Sequence, residues 1–150
     1  MPENKPSRIT GIGNTLVDIL INESDQFLKD QDKEKGGMTL AESEDIESIL
    51  SQTSKKPAIV PGGAVCNTIM GIGKLGGDAR FIGSRGNDTY GDIFVKGLQK
   101  NNVEPVVAVS EAKTGNCLSV ITPDAQRSMF TFLGASTLLE PASLTPEMFK

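Results

Sequence analysis

The sequence predicts an α/β protein in which helices pack on a parallel sheet and a small β element stands apart from it. Three observations lead there. Between residues 8 and 109, short apolar runs alternate with stretches of helical period. From 115 to 133 the period drops to two. Glycines cluster where runs end, as at 62–63 and 76–77, marking sharp turns or close approach of bare backbone.

After a polar start, residues 8–13 (Arg-Ile-Thr-Gly-Ile-Gly) form a strand that closes on glycines. Residues 16–21 are a second apolar run, interrupted by Asp18. The stretch 23–35 holds five acidic and three basic residues, a solvated loop or ragged edge helix. Gly36 and Gly37 turn the chain into a short strand at 38–40. A helix is predicted over 41–51, where Ile46, Ile49 and Leu50 share a face, with Thr39 as cap and Glu42 three positions on. Ile59 and Val60 make a minimal strand, placed with the main sheet, that runs into Pro61, Gly62 and Gly63. Val65, Ile69, Ile72 and Leu75 predict an inward helical face over 64–75, stopped by Gly76 and Gly77. Residues 80–83 form a strand, 88–100 a helix burying Phe94, Val95 and Leu98, and 105–109 another strand.

Residues 115–122 and 127–133 alternate around the turn at 123–126 and predict a β-hairpin. Met129, Thr131 and Leu133 share one face, Phe130 and Phe132 the other, so the hairpin must cover something on both sides. Neither it nor residues 16–40 fit the strand–helix alternation, and both are assigned to the separate β element. Thr145, Pro146 and Glu147 read as the cap and first turn of a new helix. Ending there is expected of part of a longer domain.

The 150 residues match the length of one domain, and 37% hydrophobic with 23% charged residues describes a globular chain rather than a disordered one. A net charge of −4 without a basic run argues against nucleic acid or an anionic membrane as partner. No apolar stretch is long enough to span a bilayer, and residues 1–12 lack a signal-peptide core. Cys66 and Cys117 lie far apart without metal-ligand spacing, pointing to reduced thiols and a cytoplasmic location. The absence of histidine excludes histidine-based triads and histidine–metal sites.

Three segments carry candidate chemistry. Residues 71–76 match G-x-G-x-x-G, but a dinucleotide site needs that motif between a strand and a helix start, and here it ends a helix. Helix packing with a C-terminal stop is the better reading, and only tight NAD binding would revive an oxidoreductase module. Gly62 and Gly63 are better placed, between a strand and a helix, where bare backbone and unpaired amides can meet ligand oxygens. Asn67, one turn in, can donate to and accept from sugar hydroxyls. A tight structural turn is the alternative. Asn14 follows the first strand at its C-terminal end, the ligand edge of open α/β sheets. Asp18 inside an apolar run needs partners, either two vicinal sugar hydroxyls or a neighbouring turn.

Six segments in order resemble the ribokinase-like (PfkB) carbohydrate and nucleoside kinases. They are G-I-G-N-x-x-V-D from Gly11, G-G-M-T-L from Gly36, G-G-A-x-x-N-T from Gly62, L-G-G-x-A-x-F-I-G from Leu75, G-x-D-x-x-G from Gly86, and T-G-x-x-x-x-x-I-T-P-D-x-x-R-S-M from Thr114. The second and last look closest to the adenosine-kinase-like branch. Val65 stands where many members have a small residue or proline. The resemblance implies an αβα sandwich with a β-sheet lid, here in segments of about 15–40 and 110–134, closing over a nucleoside or sugar. It implies that Asn14 and Asp18 bind sugar hydroxyls, that Gly62, Gly63 and Asn67 border the same site, and that Leu40, Met129 and Thr131 come from the lid. Arg127 resembles the lid arginine that approaches the phosphoryl group.

The family's N-x-x-E, its D-T-x-G-A-G-D and its ATP site are not in these residues; Leu75-Gly76-Gly77-Asp78 only echoes the end of the second motif, which leaves Asp78 a poor base. The expectation is therefore an N-terminal part, residues 1–150, of one ribokinase-like domain, with no catalytic base or metal ligand of its own. The C-terminal remainder of the same protein would supply the ATP and Mg²⁺ machinery. The intact protein would phosphorylate a primary hydroxyl of a nucleoside, adenosine favoured, or of a sugar such as ribose. The 150 residues alone would be inactive, and pairing of two lids in a homodimer is an option the two-faced hairpin leaves open. A non-catalytic sugar- or nucleoside-binding pseudoenzyme is the alternative.

Overall fold

The structure, a computed structural model, describes residues 7–150; the polar start at 1–6 lies outside the described residues. In chain order the elements begin with β1 (Ile9–Ile12), β2 (Leu16–Asn22), α1 (Asp25–Asp30), β3 (Met38–Leu40), α2 (Ser43–Gln52), β4 (Ala58–Gly62) and α3 (Ala64–Lys74). They continue with β5 (Ala79–Gly86), α4 (Thr89–Lys100), β6 (Val103–Ser110), β7 (Gly115–Ile121) and β8 (Arg127–Phe132), followed by three 3₁₀ turns.

β1, β5 and β6 form a parallel sheet in the order β1-β5-β6. Helices α3 and α4 cover it, burying Cys66, Ile69, Phe94 and Leu98 against Val17, Phe81 and Val103. Phe81 and Phe94 meet edge to face with ring centroids 5.2 Å apart. The other five strands form a mixed sheet ordered β3-β8-β7-β2-β4. Its inner face has its own core, because β2 alternates: Val17, Ile19 and Ile21 are buried while Leu16, Asp18 and Leu20 are half-buried. Ile19 and Ile21 pack with Leu28 of α1, Ile46 and Ile49 of α2, Leu118, Val120 and Phe130. The expected α/β body with a separate β element is therefore present as two sheets with two cores, and Tyr90 touches both.

Several expectations are corrected. The strand around Ile59 and Val60 belongs to the second sheet, antiparallel to β2, with Asp18 opposite Val60. Its exposed residues Ala58, Ile59 and Val60 suit an edge strand and not the interior of a parallel sheet. Thr39 does not cap α2; it is locked in β3 opposite Phe130, and Glu42 is the N-cap, its amide donating to Asp45 Oδ2 at 3.2 Å. Leu75 faces solvent at 90% exposure, one residue before Gly76 closes α3 at φ +85°. The expected final helix is a 3₁₀ turn, Pro146–Phe149, without a side-chain cap at Thr145. Arg80 accounts for that geometry, since its Nη1 donates to the carbonyls of Glu147, Met148 and Lys150 at 3.2, 2.7 and 3.2 Å.

Candidate functional site

Residues opposite each other in neighbouring strands point to the same side of a sheet, so the register decides what shares a surface. One row across the second sheet runs Leu40, Thr131, Cys117, Asp18, Val60. The next row on that side runs Met38, Met129, Ser119, Leu20, Ala58. Arg127 pairs with Ile121 and Gly62 with Leu16, both in phase with Asp18. Thus Asp18, Leu40, Gly62, Arg127, Met129 and Thr131 all lie on the side of the sheet away from its core. Met38 and Leu40 stand 58% and 65% exposed there, forming an apolar margin.

The closest approach in this group is between Asp18 and Gly62. Gly62 is buried, and a Cβ on it would overlap the Asp18 carboxyl group. Bare backbone is needed at that point for the carboxylate to lie over the strand-to-helix corner. Gly63 follows at φ +94°, caps α3 without a side chain, and lies beside Asn14, whose carbonyl oxygen is 3.1 Å from where a Cβ would stand. Gly11 in β1 and Gly13 just after it are bare for the neighbouring reason: Val65 of α3 presses onto both and Ile69 onto Gly11, with Val65 Cβ 2.8 Å from an added Cβ at Gly13. Val65 is thereby the residue that seats α3 against β1.

Among the described residues, none donates a hydrogen bond to the Asp18 carboxylate. Burial raises its pKa above the usual carboxylate range, opposed by the positive charge of Arg127. Asp18 in turn acts on its neighbour: burial, with the Asp18 charge added, pushes the Cys66 thiol up to about 12. Thr131 donates to Cys117 Sγ at 3.4 Å, within the same row as Asp18. The site is therefore an acceptor-rich spot with one nearby cation, flanked by bare amides at a helix start.

Asn14, Asp18, Gly62 and Gly63 are brought together at this corner. Asn67 is on the first turn of α3, its amide bonded to Gly63 O at 2.9 Å and its side chain exposed. Thr131 and Leu40 share Asp18's row but sit two and three strands away, about 10 and 14 Å at ordinary strand spacing. Cys117, directly beside Asp18 in the row, was not marked in the sequence, because only the β2–β7 pairing puts it there. Residues 71–76 end α3, and a Cβ on Gly73 would overlap the Asn101 carbonyl, so this G-x-G-x-x-G serves helix packing. Among the described residues, no group of three or more Asp, Glu, Cys or His could hold a metal ion.

Comparison with known proteins agrees with this architecture. Residues 38–148 match the pfkB family carbohydrate kinases. A probable fructokinase-5 of Arabidopsis thaliana is 34% identical over 94 residues, 60% of this chain and 29% of that protein. An aminoimidazole riboside kinase of Salmonella typhimurium is 34% identical over 91 residues, 57% of this chain and 28% of that protein. Among solved structures, an adenosine kinase from Sinorhizobium meliloti superposes with a TM-score of 0.81 at 30% identity, over 95% of this chain and 44% of that one. A probable sugar kinase from Rhizobium etli gives 0.82 at 31% identity, over 96% and 43%. The chain spans less than half the length of each of these. Since the family match covers most of its residues, the chain belongs to the pfkB family of carbohydrate kinases.

Proposed function

We propose that this chain supplies the acceptor site and the lid of an ATP-dependent kinase that phosphorylates a primary hydroxyl of a nucleoside, adenosine favoured, or of a sugar such as ribose. The observation that carries the reading is the Asp18 carboxylate: half-buried, without a donor among the described residues, and laid over bare Gly62 at the start of α3. Two vicinal hydroxyls would satisfy both of its oxygens through charge-assisted hydrogen bonds. Asn14 and Asn67 stand at the rim to bind further hydroxyls, and Arg127 is the cation that meets a phosphoryl group arriving at the same face.

The second sheet is the lid. The span from Asp18 to Thr131 and Leu40, about two to three strand spacings, exceeds one sugar ring and suits a sugar joined to a flat base. Leu40, Met129 and Met38 supply the apolar surface such a base needs. The solved relatives named adenosine kinases support the nucleoside; the curated relatives named fructokinases support a free sugar.

ATP and Mg²⁺ are assigned to the C-terminal remainder of the protein, because the N-x-x-E and D-T-x-G-A-G-D segments that would position them do not occur in these 150 residues. Ile9, Ile12 and Val109 stand exposed on β1 and β6, the two edge strands of the parallel sheet, which supports further structure packing at those edges. The chain alone is expected to release no ADP from ATP with adenosine, ribose or fructose. Turnover by the 150 residues alone would overturn the assignment of phosphoryl transfer to residues beyond them.

A further inference from the structure

On the opposite side of the second sheet from Asp18, a half-open cavity of about 250 Å³ lies at the seam between the two sheets. Its walls come from α2, from the start of α4 and from β7. Asn116 lies in it; this residue is 5% exposed, and its Oδ1 accepts no hydrogen bond among the described residues. A buried amide oxygen without a donor costs free energy, so an unpaired one facing a cavity marks a group awaiting a partner. The charged groups of the walls are engaged with neighbouring side chains. Lys113 Nζ bonds Glu47 Oε1 at 2.9 Å and Ser43 Oγ at 3.1 Å, while Asp88 accepts from the Thr114 hydroxyl at 2.6 Å.

We propose that this seam cavity is a second ligand site, for a neutral flat heterocycle of nucleobase size. An amide presents a donor and an acceptor side by side, the complement of a base edge. Ile46, Leu50 and Tyr90 supply apolar walls for the ring faces. The volume equals about eight water molecules at ~30 Å³ each, enough for one or two fused rings. Lys113 and Glu47 pair at the mouth, and Asp88 is held by the Gly91 and Thr114 amides and the Thr114 hydroxyl, so each charge in the walls already has a partner and a neutral ligand fits best. A ligand there touches both units and would bridge them.

The test is a titration of the chain with adenine, uracil and nicotinamide, followed by amide chemical shifts, on wild type, Asn116→Leu and Asp18→Asn. At least one base should give saturable shifts at Tyr90, Thr114 and Asn116 in wild type and Asp18→Asn. Binding should weaken at least tenfold in Asn116→Leu, which should melt no lower than wild type because it removes an unpaired buried amide. If Asn116→Leu fails to fold, Leu50→Trp, which fills the cavity, should abolish the same shifts. No saturable shift at the seam with any of the three, or undiminished binding in both variants, overturns the site. Shifts confined to the Asp18 face also overturn it, while leaving the acceptor reading intact.

Discussion

Placing a methyl group on Gly62 sets two consequences of the geometry against each other. The added Cβ of Gly62→Ala overlaps the Asp18 carboxyl, but Gly62 is not at a positive φ, so the backbone itself is unstrained. Relief comes from swinging the carboxylate outward, and that breaks no hydrogen bond within the described structure. The stability cost should therefore lie at the low end for overpacking, ~1 kcal/mol, or about 2–4 °C in Tm for a chain of this size. Acceptor binding should suffer more. Losing a hydrogen bond to a charged group costs ~1.5–3 kcal/mol, which is about 10- to 150-fold in Kd. Calorimetric titration with adenosine and with ribose measures this, on Gly62→Ala, Asp18→Asn and the double variant. Both single changes act on one carboxylate, so the double variant should bind about as weakly as the worse single one. Fully additive losses, or a Gly62→Ala protein that binds like wild type, would refute the idea that Gly62 works through Asp18.

Other expectations follow from the same contacts. Burial raises the Asp18 pKa against the pull of Arg127, so the folded state favours the protonated acid. That preference is fully expressed below the ordinary value of 3.8 and is lost as pH rises through the raised value. Asp18→Asn should then gain stability relative to wild type at neutral pH, with the gap closing below pH 3.8 in urea melts; a gap that widens with acid contradicts this. Asp88 works in the opposite sense: burial opposes its charge, yet donors from Thr114 and Gly91 together with Arg85 hold its carboxyl below the usual range. Asp88→Ala removes the α4 cap and the tie to Thr114, and should cost ~2–3 kcal/mol. Wild type should lose that advantage as pH falls below 3.8, which a pH series of denaturant midpoints would show. The Cys66 thiol, pushed up to about 12, should resist iodoacetamide at pH 8 until the chain is unfolded; rapid labelling of native protein would contradict its burial beneath Asp18.

What could be read from the residues alone was local. A carboxylate interrupting an otherwise continuous apolar run announced Asp18, and paired glycines before an apolar helix announced Gly62 and Gly63. The hairpin and the helix starting after Asp88 were legible for the same reason, since turn chemistry and periodicity are encoded within a dozen residues. Pairing between distant strands was not. Nothing near Ile59 says that it lies antiparallel to β2, and a two-residue apolar run looks the same at a sheet edge as in its interior. Cys117 became part of the site only through the parallel register of β2 and β7. Thr39 had the right spacing for a capping box, but a strand ladder with Phe130 claimed its backbone first. The final turn was set by Arg80, some 67 to 70 residues earlier in the chain.

The central claim, that the acceptor is bound between Asp18 and the bare corner at Gly62, is tested most directly by mapping amide shifts during a titration with adenosine. The account predicts saturable changes concentrated at Asn14, Asp18, Gly62, Gly63, Asn67 and Thr131, and their loss in Asp18→Asn. Changes centred elsewhere, or a map that is the same in Asp18→Asn, would contradict it.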